Sequence, residues 1–313
     1  MDFRRIDAAI ASYASRGDEV LNARLTFFRA LWEIQDSYAS KAASTSGCQL
    51  DCERAHDVFE QVDPNVNPEK VFPLLEHMPM SIDKNLFIGA VKDLSHLFTT
   101  QESFDPCVKS TLMAFDWETF ISQLSLELAG ANPSAFLDSA MTLLEEMVAK
   151  DERIERPGFI ITVLSLAVRA MLDGYAYDLM HAYMDTCPHE TYYMDRLSYC
   201  PVCGSDATAS YVGPTEADHG NSKELWCSQC GSRWDYGRIR CPHCLTTDQD
   251  KLHYLNVEGD EEHRVYICDK CHTYMRTYFE SPNVSIFATP FSFEVEDVVM
   301  ANLDLVAQDY LSK

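Results

Sequence analysis

Residues 200–205, CPVCGS, and 227–234, CSQCGSRW, are followed by 241–244, CPHC, and 268–271, CDKC, and the spacing of these four C-x-x-C turns decides how the chain is read. Cys200 to Cys227 and Cys241 to Cys268 are each 27 residues apart, and the whole first set maps onto the second by an offset of 41. Pro201 and Pro242 share that offset, and an apolar couple precedes each later turn, Leu225-Trp226 and Tyr266-Ile267. The region is therefore an internal duplication. A C-x-x-C turn points two sulfurs at one ion, and two such turns complete a tetrahedral four-thiolate site for Zn²⁺ or rubredoxin-type iron. The expected ligand sets are Cys200, Cys203, Cys227, Cys230 and Cys241, Cys244, Cys268, Cys271, because duplication makes each half self-sufficient; crossed pairing is the alternative. Redox dithiols fit less well, since a thioredoxin-type motif belongs between a strand and a helix and would not recur four times with a fixed repeat.

Between the two turns of each half the sequence predicts a β-hairpin: 207–212 with 223–226, then 252–257 with 264–267 around Gly259. Each half thus reads as a zinc-ribbon or rubredoxin-like unit, and 273–279 is expected to form a further strand. The two sites need not match. Gly204 and Gly231 follow the first pair of turns, where Leu245 and His272 stand in the second. The first site is accordingly expected to be the more rubredoxin-like. Arg233, Arg238 and Arg240 lie on the segment joining the halves, either offsetting thiolate charge or solvating a surface strand. His243, His253, His263 and His272 read as neighbours of the sites or surface residues, since eight cysteines already suffice. With sulfur closing all four positions there is no place for a water nucleophile, which disfavours metal-assisted hydrolysis and any catalytic residue.

Upstream of about residue 187 the composition changes to Ala, Leu, Met and Phe at helical spacing. Leu21, Leu25, Phe28 and Trp32 recur along one face, as do Phe87, Val91, Leu94 and Phe98. Breaks at Gly17-Asp18, Ser44 to Gly47, Asp63-Pro64, Pro79 to Asp83, Asn132-Pro133 and Pro157-Gly158 leave seven or eight helices. Val295, Val299, Leu303, Val306 and Tyr310 predict one closing amphipathic helix over 294–311. The expected fold is α+β: an α-helical domain over 1–187, then a tandem metal-binding β domain over 188–313 with repeats 200–230 and 241–271, the boundary falling near Pro188. Cys48, Cys52, Cys107 and Cys187 stand outside the repeat and receive no assigned role.

The whole chain has 313 residues, 46% of them apolar, 12 cysteines and a formal net charge of −24. Such an acidic protein repels phosphate backbones, which argues against nucleic acid as a partner. The most apolar run, 159–168, meets Arg169 and then Asp173 and reads as a buried helix instead of a membrane span. Polar residues interrupt the N-terminal segment before any secretion signal could form, so a cytoplasmic, reducing location is expected, where twelve cysteines are not a disulfide framework.

CPVCGS, CSQCGSRW, the arginine-rich GRIRCPHC at 237–244, LHY at 252–254 and ICDKCHTYMRT at 267–277, behind a helical half containing VFPLLEHM at 71–78, resemble the formate dehydrogenase accessory protein FdhE family. The resemblance implies a cytoplasmic, non-enzymatic maturation factor or chaperone that contacts the catalytic subunit of formate dehydrogenase and binds rubredoxin-type iron through the eight cysteines named above. Iron and zinc both remain open, as does a homodimer. Two other functions compete: a rubredoxin-like electron carrier, which lacks any flavin or nicotinamide motif here, and a nucleic-acid-binding zinc ribbon.

Overall fold

The computed structural model describes residues 1–61, 71–149, 154–187, 194, 197–214, 221–280 and 290–312. Helices α1 (Phe3–Ala14), α2 (Glu19–Ser44), α3 (Cys52–Glu60), α4 (Leu74–His77), α5 (Lys84–Thr100), α6 (Pro106–Ala114), α7 (Trp117–Ile121), α8 (Leu126–Ala131), α9 (Pro133–Val148) and α10 (Pro157–Thr186) come first. Their starts follow from local chemistry. Asp2, Asp18, Asp51, Asp83, Asp105, Asp116, Ser125 and Asn132 each accept a hydrogen bond from a backbone N–H of the first turn they precede, satisfying donors that the helix itself leaves open. Proline at the first helical position of α6, α9 and α10 gives up a donor that would be unpaired anyway. Among the described residues the ten helices exceed the seven or eight read from periodicity because α4, α7 and α8 span only four to six residues, less than two turns of pattern. The expected break at Asp63-Pro64 and the expected boundary at Pro188 lie outside the described residues.

Helix α10 runs through the middle of the helical layer, against α2, α5 and α3. Among the described residues it is the one helix with the length and apolarity to cross a membrane, and 61% of its most apolar window is buried inside the protein. Burial all round a helix is what the centre of a large core requires. Ile160, Val163, Leu164, Ala167, Ala176 and Leu179 are fully enclosed.

The second part is one six-stranded sheet of β1 (Ala209–Pro214), β2 (Asn221–Trp226), β3 (Arg233–Tyr236), β4 (Leu252–Val257), β5 (Asp260–Cys268) and β6 (Thr273–Phe279), in the order β3-β2-β1-β6-β5-β4. Both predicted hairpins are present: β1 pairs antiparallel with β2, Ala209 opposite Trp226, and β4 with β5, Leu252 opposite Cys268. Strand β3, which begins at Arg233 where the sequence allowed a surface strand, completes the first half as β6 completes the second. Each repeat is thus a three-stranded meander. The two meanders join edge to edge through a parallel β1–β6 pair, Ser210 opposite Thr277.

The expected closing helix is broken. α11 (Phe293–Val299) and α12 (Leu303–Leu311) are separated by a tight 3₁₀ turn over Met300–Asn302, because they serve different layers: α11 packs on α1 and α2, whereas α12 packs on β5 and β6. The break shifts the buried face to Leu303 and Ala307 and leaves Val306 and Tyr310 exposed. Trp226, stacked 5.6 Å from Phe293, Val265, Ile267 and Met300 form a second core between sheet and tail.

Candidate metal centres

Four turns of one design carry the eight cysteines. In the first, the Gly204 N–H donates to the Cys200 carbonyl at 2.9 Å, and the Cys200 N–H donates to the Ser205 carbonyl at 2.7 Å. The pattern recurs at Cys227 with Gly231 and Ser232, and at Cys241 with Leu245 and Thr246; at Cys268 the His272 N–H closes the turn at 2.8 Å. The residue after each second cysteine takes a left-handed conformation, with φ of 77° at Gly204, 82° at Gly231, 60° at Leu245 and 54° at His272. Leu and His therefore adopt the same knuckle as glycine, at some steric cost. The sites differ in crowding, whereas among the described residues the backbone N–H to sulfur hydrogen bonds that glycine is expected to favour at the first site are found at the second, from His243 and Cys244 to Cys241 Sγ at 3.4 and 3.5 Å. A Cβ on Gly231 would lie 2.6 Å from Arg169 Nη2 and from Asp173 Oδ1, and one on Gly204 would lie 3.1 Å from Pro73. The second pair of turns faces outward, with Leu245 and His272 exposed.

These turns bring the sulfurs into two groups, Cys200, Cys203, Cys227, Cys230 and Cys241, Cys244, Cys268, Cys271, each with all four Sγ atoms within 4.8 Å of one another. The grouping is the self-sufficient pairing, with no crossing between halves. In the first group Cys200 and Cys230 are 3.6 Å apart and Cys203 and Cys227 3.5 Å; in the second both cross-turn separations are 3.7 Å. A disulfide would need about 2.05 Å. An ion with four sulfurs at about 2.3 Å in a tetrahedron sets them roughly 3.8 Å apart, so the spacing and the all-thiol donor set fit one Zn²⁺ or one rubredoxin-type iron per group. Burial, then the adjacent thiols, pushes the Cys200 thiol well above its ordinary range. A cation is what would let such a cluster ionise.

The first group is wholly buried and belongs to the helical core. Leu74 and Leu75 N–H groups of the 71–78 stretch donate to the carbonyls of Pro201 and Val202 at 2.9 and 3.0 Å. From the other side Arg169 of α10, itself buried, donates from Nη1 to the carbonyls of Cys227 at 3.3 Å and Ser228 at 3.0 Å, while Nη2 pairs with Asp173 at 2.7 Å and Glu294 at 3.5 Å. Ser165 and Gln229 add a side-chain hydrogen bond at 2.9 Å. The second group stands at the end of the β4–β5–β6 meander. Cys241 and Cys268 are buried, Cys244 and Cys271 half-exposed. Burial raises the Cys271 thiol, but the Thr273 hydroxyl at 3.0 Å and the surrounding sulfurs outweigh it and bring it down to about 7.

Two buried cations beside the clusters, Arg169 and Lys223, escaped the sequence reading. Arg233 and Arg238, the candidates near the knuckles, are exposed, and Arg240 partly so. None of the four histidines joins a sulfur group among the described residues. His253 pairs with Asp269, and buried His263 lies between Asp260 and Glu296. Cys48 is buried, Cys52 exposed, Cys107 and Cys187 half-buried, and none of them enters either group.

Fold and clusters together define the class: an α+β protein whose helical layer is packed onto a duplicated four-cysteine knuckle sheet able to hold two metal ions. No family model matches the chain. It is 29% identical over 144 residues to an FdhE homolog of Aquifex aeolicus, covering 45% of this chain and 48% of that one. It is 32% identical over 117 residues to an FdhE homolog of Rhizobium meliloti and 30% over 99 residues to the FdhE protein of Escherichia coli K12, each match covering 36% or less of either chain. The matches thus span about half or less of the length of these relatives. In structure the chain is similar to the crystal structure of the FdhE protein from Pseudomonas aeruginosa, with a TM-score of 0.57 over 98% of this chain and 90% of that one at 16% identity, a likeness of fold. The sequence relatives and the solved neighbour bear one name, and they support the FdhE family for this chain.

Proposed function

We infer that the protein is an accessory factor in formate dehydrogenase maturation, acting in the cytoplasm on the catalytic subunit and not as an enzyme. The observation that supports this reading is the pair of closed four-thiol groups on a fold shared with FdhE. In each group every tetrahedral position is taken by sulfur, which suits bracing, metal holding or thiolate chemistry and leaves no position for substrate. Residues 1–187 are then the helical part and 188–313 the metal part. Cys200, Cys203, Cys227 and Cys230 would hold one ion that ties the sheet to α10 and the 71–78 stretch. Cys241, Cys244, Cys268 and Cys271 would hold the other, iron or zinc, near the surface, where two half-exposed sulfurs make it the site that responds to oxidants. The test is co-purification with tagged catalytic subunit from anaerobic and aerobic cells. Recovery of the protein with the subunit is expected; its absence under both conditions overturns the reading.

A further inference from the structure

Lys223 is 1% exposed on β2, directly opposite Tyr236 of β3, and its Nζ has no hydrogen-bond partner. Two phenol rings surround it, with Nζ 4.0 Å from the centroid of Tyr266 and 5.9 Å from that of Tyr236. Both rings belong to the frame of the second sulfur group. Tyr266 precedes Cys268 by two residues on β5, and the Tyr236 hydroxyl donates to the Cys241 carbonyl at 3.1 Å. Lysine is almost never fully buried without a partner, and an unpaired ammonium in a dry interior is among the least favourable placements a side chain can have. Among the ion pairs of the described residues none includes it. Burial brings Lys223 down to about 7, with the Cys241 sulfur working the other way.

The first group is arranged differently. Arg169 lies close enough for Cys230 and Cys227 to act on it, yet its charge is already shared with Asp173 and Glu294. At the second group, among the described residues, the lysine has two phenol rings around it and no carboxylate paired with it.

Four thiolates around a divalent ion carry a net charge near −2, close to the missing partner that the lysine's position calls for. We propose that Lys223 is the counter-charge of the second metal site, a positioning residue whose buried ammonium favours the loaded cluster of Cys241, Cys244, Cys268 and Cys271 over the empty one. This rests on reading that cluster as a metal site. The lysine disfavours the empty protein and favours the loaded one, and this opposition is its signature: a purely structural residue would move both forms in one direction.

The experiment uses the full chain loaded with Zn²⁺ alone, with zinc counted by mass spectrometry and released by titration with a chromophoric chelator. In Lys223→Met, one of two zinc ions is expected to be released at tenfold or more lower chelator concentration, the other remaining as in the unmutated chain. Lys223→Arg retains both. Stripped of metal, Lys223→Met is expected to unfold at higher denaturant concentration than the stripped unmutated protein, since a buried unpaired cation has gone. Two zinc ions held by Lys223→Met as tightly as before overturn the proposal, as does a loss of affinity accompanied by a less stable stripped form. An unmutated chain that binds only one zinc overturns the metal reading itself, and is recognised because it fails before any substitution is made.

Discussion

Tyr13 of α1 donates its hydroxyl to Glu296 of α11 at 2.7 Å, joining residues 283 positions apart. His263 of β5 meets the same carboxylate oxygen at 2.9 Å through Nε2 and Asp260 at 2.7 Å through Nδ1. Three elements, the first helix, the sheet and the penultimate helix, thus share one buried hydrogen-bonded knot, with Arg16 and Glu262 paired at its rim.

This knot makes stability pH-dependent. Burial lowers the His263 pKa, but hydrogen bonds to Asp260 and Glu296 outweigh it and raise it to about 9. A raised folded-state value means the contribution is complete below the unfolded value of about 6.5 and is lost as pH rises through about 9, on the order of 3 kcal/mol in all. Asp260 has the opposite sign: its lowered pKa adds stability above its ordinary range, lost as pH falls through the lowered folded value. Urea unfolding between pH 6 and 10 is expected to show the decline in the unmutated chain and a much flatter profile in His263→Gln; parallel profiles would discard the knot as its source.

Arg169 is expected to matter more than any exposed charge. Its removal leaves two knuckle carbonyls without their donor, Asp173 with the Met1 ammonium alone at 3.3 Å and Glu294 with the Ser292 hydroxyl, a loss worth about 2–4 kcal/mol. Arg169→Met should unfold at markedly lower denaturant, with Asp173→Asn recovering part of the loss in the double variant. A double-mutant cycle with no coupling would contradict the pairing drawn here.

Glycine has different weight at two left-handed positions. Gly17, at φ 80°, has nothing within 4 Å of an added Cβ, whereas at Gly231 the methyl would meet Arg169 and Asp173. Gly17→Ala should cost about 1 kcal/mol from backbone strain, and Gly231→Ala should cost more, about 2 kcal/mol or above. Equal costs in a thermal unfolding comparison would show that the contact with α10 is slack.

Metal removal should be ordered. Because Cys244 and Cys271 are half-exposed and the first four cysteines are enclosed, a chelator with iodoacetamide should label Cys241, Cys244, Cys268 and Cys271 before Cys200, Cys203, Cys227 and Cys230. Exposed Cys52 should react without any chelator. Peptide mapping over time reads the order, and simultaneous labelling of all eight would show that the helical layer does not shield its cluster.

The sequence was most legible where a local rule repeats. Spacing alone located all four turns, both hairpins and β6, because a knuckle and a hairpin are closed by residues near one another in the chain. Helix starts at Asp18, Asp83, Asn132 and Pro157 were equally readable, since a cap acts within one turn. Arg169 and Lys223 were not. One is 58 residues from the Cys227 carbonyl it binds and looks like an interruption in an apolar run, while the other opens a predicted hairpin strand whose local pattern assigns it no partner; only tertiary packing turns each inward. The split of the C-terminal helix was hidden for a similar reason, as its halves follow two different surfaces.

The parallel seam between β1 and β6 joins the first strand of one meander to the third strand of the other. Such a contact is head-to-tail, and β4 and β3, left at the two rims, are again a first and a third strand. Nothing in that symmetry closes, so molecule after molecule could add by the same rule into a fibre. Termination therefore has to be built into the rims themselves: β3 is only four residues long with Arg233 and Asp235 exposed, and β4 shifts register at Asn256/Val257, the features by which sheets avoid growing.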